Sequence, residues 1–210
     1  MRGFYIRVFL PDLNPCNLQY YYSIIYIMLY FVHSLDIFIQ NYFALSRTPV
    51  LTEYMLVIST FLDFSYKFIL VILCVAYLIY LVRGLSYAWL FVASLFAGGL
   101  VGFILKNLFN VSRPLDSVIL ESSKSFPSNH AVVATIFFGM LMYIFDKHLS
   151  RNQRIIFNIF CTASILAVSF SRIYLGVHWL SDVLGGIFLG GAVLLVSISW
   201  YNQGSKKITN

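Results

Sequence analysis

Charge is scarce in this sequence. Fourteen Lys and Arg and eight Asp and Glu make up 10% of 210 residues, against 60% hydrophobic residues. Ordinary soluble domains carry about 25% charged residues, so that class is excluded. Strict alternation of apolar and polar residues is also lacking, which excludes a β-barrel. The three cysteines, Cys16, Cys74 and Cys161, are far apart and follow neither a disulfide framework nor a zinc spacing. Cys74 and Cys161 fall inside apolar runs, where a thiol packs as a small hydrophobe. The net charge of +6 is modest and dispersed, so a nucleic-acid partner is not expected. A cleavable leader is not expected either. Pro11, Asp12, Asn14 and Pro15 interrupt the first apolar stretch, and no small-residue cleavage site follows. The first long apolar run would then serve as an uncleaved anchor.

What the chain does have is apolar runs near membrane-crossing length, about 20 residues each, with a mean hydropathy of +0.83. Residues 1–17 read as a basic, interfacial arm. Six spans are expected at about 18–35, 68–82, 86–106, 128–145, 155–170 and 178–200. Between the first two, residues 36–67 are mixed in character and broken by Ser46-Arg47-Thr48-Pro49, as in a connection holding an interfacial or re-entrant helix. Glycines at 98, 99, 102, 185, 186, 190 and 191 offer faces for close helix packing. The tail, 202–210, is polar and expected to fray. The fold class is all-α, a polytopic membrane bundle of six helices forming one domain over residues 1–210.

Six crossings leave both termini on one side, with Arg2, Arg7, Arg83, Lys147, Arg151, Arg154, Lys206 and Lys207. The other side holds Arg47, Lys67, Lys106, Arg113, Lys124 and Arg172. By the positive-inside rule the termini are cytoplasmic. The ends of spans three and five and the starts of spans four and six then face outward together.

Those ends hold the polar residues that packing does not require: Lys106 with Arg113-Pro114, Pro127-Ser128-Asn129-His130, and Ser171-Arg172 with His178 and Asp182. A charge in hydrocarbon costs at least a few kcal/mol, so charges there need a reason. On a helix His178 and Asp182, four apart, share a face, and the carboxylate can fix the tautomer and aim of the imidazole. That pair alone would also serve a protease, a metal site or a proton relay. Lys106, Arg113 and Arg172 supply three cations suited to the oxygens of a phosphoryl group. The start of span four adds helix amides and the Ser128 hydroxyl. His178 can then attack phosphorus, while His130 protonates the leaving oxygen and later activates water.

The three stretches read Lys106-x6-Arg113-Pro114, Pro127-Ser128-Asn129-His130 and Ser171-Arg172-x5-His178-x3-Asp182. In order and spacing this resembles the type 2 phosphatidic acid phosphatases, the lipid-phosphate phosphatase branch of a superfamily that includes the vanadium haloperoxidases. The resemblance implies a PAP2-like bundle with His178 as nucleophile, Asp182 as its orienter and His130 as general acid. Lys106, Arg113, Ser128 and Arg172 would be phosphate ligands. It implies no metal and no cofactor, and the sequence shows no carboxylate cluster to hold a metal. One position departs: Asn129 stands where the family has a glycine whose N–H joins the phosphate site. Asparagine tolerates unusual backbone angles, and its amide can add a hydrogen bond.

The implied partners are a lipid phosphate and the surrounding membrane lipids, in a bacterial plasma membrane with the site on the extracytoplasmic side. Undecaprenyl diphosphate is the first substrate expected, ahead of phosphatidylglycerophosphate, phosphatidic acid and lipid A phosphates. Phosphotransfer to an alcohol acceptor is the rival chemistry, and a non-catalytic scaffold or transporter the rival class. Glu121, Lys124 and His148 read as solvated charges, His33 as a headgroup-level or packed histidine, and Asp63 with Lys67 as an interfacial pair.

Overall fold

In a computed structural model, described over residues 15–60 and 66–208, every regular element is an α-helix. The arm at 1–14, the segment containing Asp63 and the last two residues lie outside the described residues. The helices are α1 (Pro15–Ser46), α2 (Pro49–Thr60), α3 (Tyr66–Arg83), α4 (Leu85–Phe109), α5 (Asn129–Phe145), α6 (Arg151–Tyr174) and α7 (Leu180–Ile208). Five of these, α1, α3, α4, α6 and α7, are long and apolar enough to cross a membrane.

The remaining expected span, the fourth, is α5, only 17 residues long, and it is the core of the bundle. Residues 131–140 of α5 are all buried, with α4, α6 and α7 packed around it. A helix apolar on every side needs cover on every side. The outer helices turn their large apolar residues outward, for example Phe31, Phe96, Ile156 and Phe188, as lipid contact requires.

Lipid tails are as apolar as leucine, so helix association here rests on close packing rather than on escape from water. Gly186 and Gly190 of α7 provide it. A Cβ at Gly186 would lie 2.7 Å from the Ser128 carbonyl oxygen and 2.9 Å from the Ala131 Cβ; one at Gly190 would lie 2.8 Å from the Val132 oxygen. By contrast, Gly99 and Gly191 face open space and pack against nothing. Gly186→Val should therefore force α5 and α7 apart at a cost of about 1–3 kcal/mol. A lowered melting midpoint in detergent is the expected result; an unchanged midpoint would show that the two helices can separate there freely.

Three boundaries differ from expectation. α1 does not stop near residue 35 but continues through Asp36 and Gln40, both buried. No helix breaker lies before the Arg47-Thr48-Pro49 break, and the two polar residues turn inward instead of ending the helix. α2 is the helix expected within the connection, and it packs against α6. α7 continues to Ile208, through most of the expected frayed tail, and begins at Leu180. His178 therefore stands in the turn before the helix, not on its first turn. Elsewhere the ends follow local chemistry. Asn110, left-handed at φ 53°, closes α4 through its N–H to the Lys106 oxygen at 3.1 Å. Ser150 and Gln153 form a capping box at the start of α6.

Candidate active site

One end of the bundle gathers the C-terminal ends of α4 and α6, the N-terminal ends of α5 and α7, and the second half of α1. After Tyr174 the chain curls back over the end of α6. Gly176 donates to the Ile173 oxygen at 3.0 Å, Val177 to the Arg172 oxygen at 3.2 Å and His178 to that same oxygen at 3.3 Å. Gly176 has φ +71°, and a Cβ there would meet the Asp116 oxygen at 2.9 Å, so only glycine fits this turn.

Two side chains from α1 and its break brace the turn. Arg47 donates through Nε to the Tyr174 oxygen (3.0 Å) and through a terminal nitrogen to the Asp116 oxygen (2.8 Å). Asp36 accepts from the Ser181 N–H at 2.9 Å and the Ser181 hydroxyl at 2.6 Å, covering donors at the start of α7. Neither residue was singled out from sequence. A carboxylate inside an apolar helix is itself a signal of function, and that signal at Asp36 was available.

His178 is 1% exposed. Its Nδ1 lies 3.4 Å from Asp182 Oδ2. That same oxygen accepts from the Trp179 N–H at 2.9 Å and from the Ser125 hydroxyl. Asp182 is thus held on several sides and aimed at Nδ1. With the ring proton on Nδ1, facing the carboxylate, the lone pair is on Nε2, which lies 3.2 Å from an Arg113 terminal nitrogen. Burial first, then Arg113, Arg172 and Lys106, hold His178 well below the usual imidazole pKa of 6.5, against the opposing pull of Glu121. The ring is therefore held neutral at pH 7.

The cations surround that nitrogen. Arg113 also donates to the Val177 oxygen at 2.6 Å and the Ser123 oxygen at 2.7 Å. Arg172, 1% exposed, reaches from α6 to the Ser59 hydroxyl of α2 and to Glu121. Lys106 is buried and donates to the Lys124 oxygen at 2.7 Å. Glu121 was expected to be solvated. Instead it is partly buried, with Oε2 2.5 Å from Arg113 and Oε1 on Arg172. Burial would raise its pKa, but Arg172 and Arg113 overcome that and hold it below the usual value. One carboxylate bridging two guanidiniums shows that the pair can take a two-oxygen anion. Lys124 is exposed, as expected.

A cleft of about 360 Å³ opens here, lined among others by Lys106, Glu121, Asn129, His130, Arg172 and His178. Ser128 is the N-cap of α5 but makes no side-chain cap. Its hydroxyl is fully buried without a hydrogen-bond partner among the described residues. Buried hydroxyls normally find partners, so this one is poised for a ligand. Asn129 Oδ1 is likewise unpaired, and a Cβ on Gly102 would lie 3.0 Å from it; α4 makes room for this side chain. The eight residues singled out from the motifs are thus brought to one end of the bundle. Asp36, Arg47, Ser59, Glu121 and Ser125 join them.

A family model described as the PAP2 superfamily matches residues 87–206, more than half of the chain. The chain belongs to the PAP2 superfamily. Over 95 residues it is 38% identical to phosphatidylglycerophosphatase B of Bacillus subtilis (strain 168), a match over 43% of this chain and 46% of that protein. The match thus spans less than half of that relative's length. Among solved structures, a transmembrane PAP2 type phosphatidylglycerolphosphate phosphatase from Bacillus subtilis superposes with a TM-score of 0.76 at 27% identity. That superposition covers 90% of this chain and 96% of the other. Aquifex aeolicus LpxE shares the fold, with a TM-score of 0.59 at 20% identity over 79% and 93% of the two chains. The PAP2 membership and the apolar helices make this an integral membrane protein, and the family match takes in every motif residue from Lys106 to Asp182.

Proposed function

We propose that this protein is a lipid phosphatase that works through a phosphohistidine. The observation that carries this reading is the lone-pair nitrogen of a buried, neutral His178, 3.2 Å from Arg113, in a cleft that also holds Lys106 and Arg172. The His178 Nε2 lone pair attacks phosphorus, and the bond from phosphorus to the lipid oxygen breaks. His130 gives that oxygen its proton. Asp182 keeps the Nδ1 proton in place and stabilises the charge that develops on the ring. His130, now a base, takes a proton from water; the hydroxide attacks phosphorus, the N–P bond breaks, and phosphate leaves. Arg113, Arg172, Lys106, the Ser128 hydroxyl and the first amides of α5 stabilise the negative oxygens throughout.

For the substrate, the names of the Bacillus subtilis sequence match and of the Bacillus subtilis structure favour phosphatidylglycerophosphate, ahead of undecaprenyl diphosphate, phosphatidic acid and lipid A phosphates. A phosphate-release panel over these four lipids with purified protein and chelator present decides the order. The expected result is fastest release from phosphatidylglycerophosphate, undiminished by chelator. Loss of activity with chelator would count against the metal-free mechanism. Label found only on an acceptor alcohol, with no free phosphate, would establish a phosphotransferase instead.

The charge distribution supports an orientation with both termini cytoplasmic and the cleft extracytoplasmic. A reporter inserted near Ser117 should be external and one fused after Asn210 cytoplasmic; the reverse pattern would invert the arrangement.

A further inference from the structure

The end of the bundle opposite the catalytic cleft holds a larger cavity, about 650 Å³, between the last turns of α3, α5 and α7 and the first turns of α4 and α6. Its chemistry is cationic and aromatic. Arg83 stacks on Tyr87, its guanidinium carbon 4.3 Å from the ring centroid, and one terminal nitrogen meets His148. Its Nε is buried and makes no hydrogen bond among the described residues. Across the cavity, the Asn158 side-chain oxygen is also buried and unpaired. Lys147 adds a second cation at the rim. The one carboxylate in the lining, Asp146, leans toward Arg154, 3.6 Å away, which offsets it. A buried Arg Nε with nothing to donate to is costly, so the cavity is set up for an acceptor.

A second, wholly apolar slot of about 280 Å³ runs beside it, between α3 and α6, lined by Val75, Ile79, Leu141, Phe145 and Phe157 among others. Both cavities border the last turns of α5: Leu141 and Phe145 face the slot, Met142 and Asp146 the polar cavity. A cationic cavity next to an apolar slot matches the headgroup and the upper part of one acyl chain of a phospholipid. Basic pockets between membrane helices take acidic headgroups in this way.

We propose that this cavity is a second lipid site, binding the phosphodiester headgroup of an anionic membrane phospholipid through Arg83 and Lys147, with an acyl chain in the apolar slot. The bound lipid is not the substrate: His178 and His130 are at the other end of the bundle, and no histidine pair faces this cavity among the described residues. It would sit where Tyr143 of α5 already donates to Asn202 of α7 at 2.7 Å and Tyr87 of α4 packs on Tyr201.

The test is native mass spectrometry of the full-length protein in a non-ionic detergent, titrated with phosphatidylglycerol, phosphatidylcholine or inorganic phosphate. Wild type should retain phosphatidylglycerol in preference to phosphatidylcholine. Arg83→Gln and Lys147→Gln should each lower that retention about tenfold, the loss of one charge-assisted hydrogen bond, whereas Arg113→Gln in the catalytic cleft should leave it intact. Lys147 is exposed and supports no packing, so its variant reads the site even if Arg83→Gln fails to fold. Retention unchanged in Lys147→Gln, or lost in Arg113→Gln, would overturn the proposal. So would inorganic phosphate displacing the lipid completely at millimolar concentration, since the site would then take free phosphate without using the slot.

Discussion

His178→Gln should abolish phosphate release, by roughly four orders of magnitude or more, because it removes the buried imidazole whose Nδ1 faces Asp182 and whose Nε2 faces Arg113. Glutamine keeps polarity and volume near those of imidazole, so melting should change little. His130→Ala should behave differently. It removes a proton carrier rather than the nucleophile, costing about 10²–10⁴-fold on the lipid. With an activated ester whose leaving group needs no proton, the variant should still become phosphorylated and then stall. An acid-labile phosphate on His178 in His130→Ala, and none in His178→Gln, is the expected pair of results. Equal labelling of both variants would place the nucleophile elsewhere. The pH profile carries the same assignment. His178 is active when neutral, and burial with Arg113, Arg172 and Lys106 holds its pKa below 6.5, so the acid limb of kcat/KM should fall below pH 6.5. Arg113→Gln removes one of those cations and should move the limb upward, whatever it does to the height of the profile.

Arg172→Gln has the second largest expected effect, a fall of about 10²–10³-fold in kcat/KM. Arg172 is almost fully enclosed, tied to Ser59 of α2 on one side and to Glu121 on the other. Its loss removes a charge from the phosphate site and leaves Glu121 held by Arg113 alone. Lysine should not restore the rate, because a single ammonium cannot span Ser59 and Glu121 as a planar guanidinium does. If Arg172→Lys were fully active, the guanidinium would be serving charge alone, and its geometry would be irrelevant.

What could be read from sequence divides along a physical line. His178, Asp182, His130, Lys106 and Arg113 were legible because each is an unsolvated polar group in an apolar chain, at a spacing that chemistry explains. The helical spans were legible because lipid imposes length and composition on each separately. Glu121 was not legible. A loop carboxylate reads as solvated unless one knows that the loop folds back between two arginines. Ser59 and Arg47 were hidden for a related reason: their partners are 69 to 127 residues away, and no local pattern records that distance. Asp36 was visible but was taken as the end of a helix, when its partner at Ser181 lets the helix run past it. The placement of His178 off the helix depended on the turn at Gly176, where a left-handed residue breaks the 3.6-residue period on which the face argument relied.

That turn also explains why the third motif is written as a count. Between Arg172 and His178 the backbone folds so that both Val177 and His178 donate to the oxygen of Arg172 itself. The proposed phosphate ligand, Arg172, and the proposed nucleophile, His178, are thus joined through one peptide carbonyl, and the five intervening residues are the circumference of a closed loop. All five are buried, and their number sets where the imidazole stands. One residue more or fewer would leave both functional groups in the chain but turn the imidazole away from Arg113. In this protein the distance between the two proposed catalytic partners is stored as an integer.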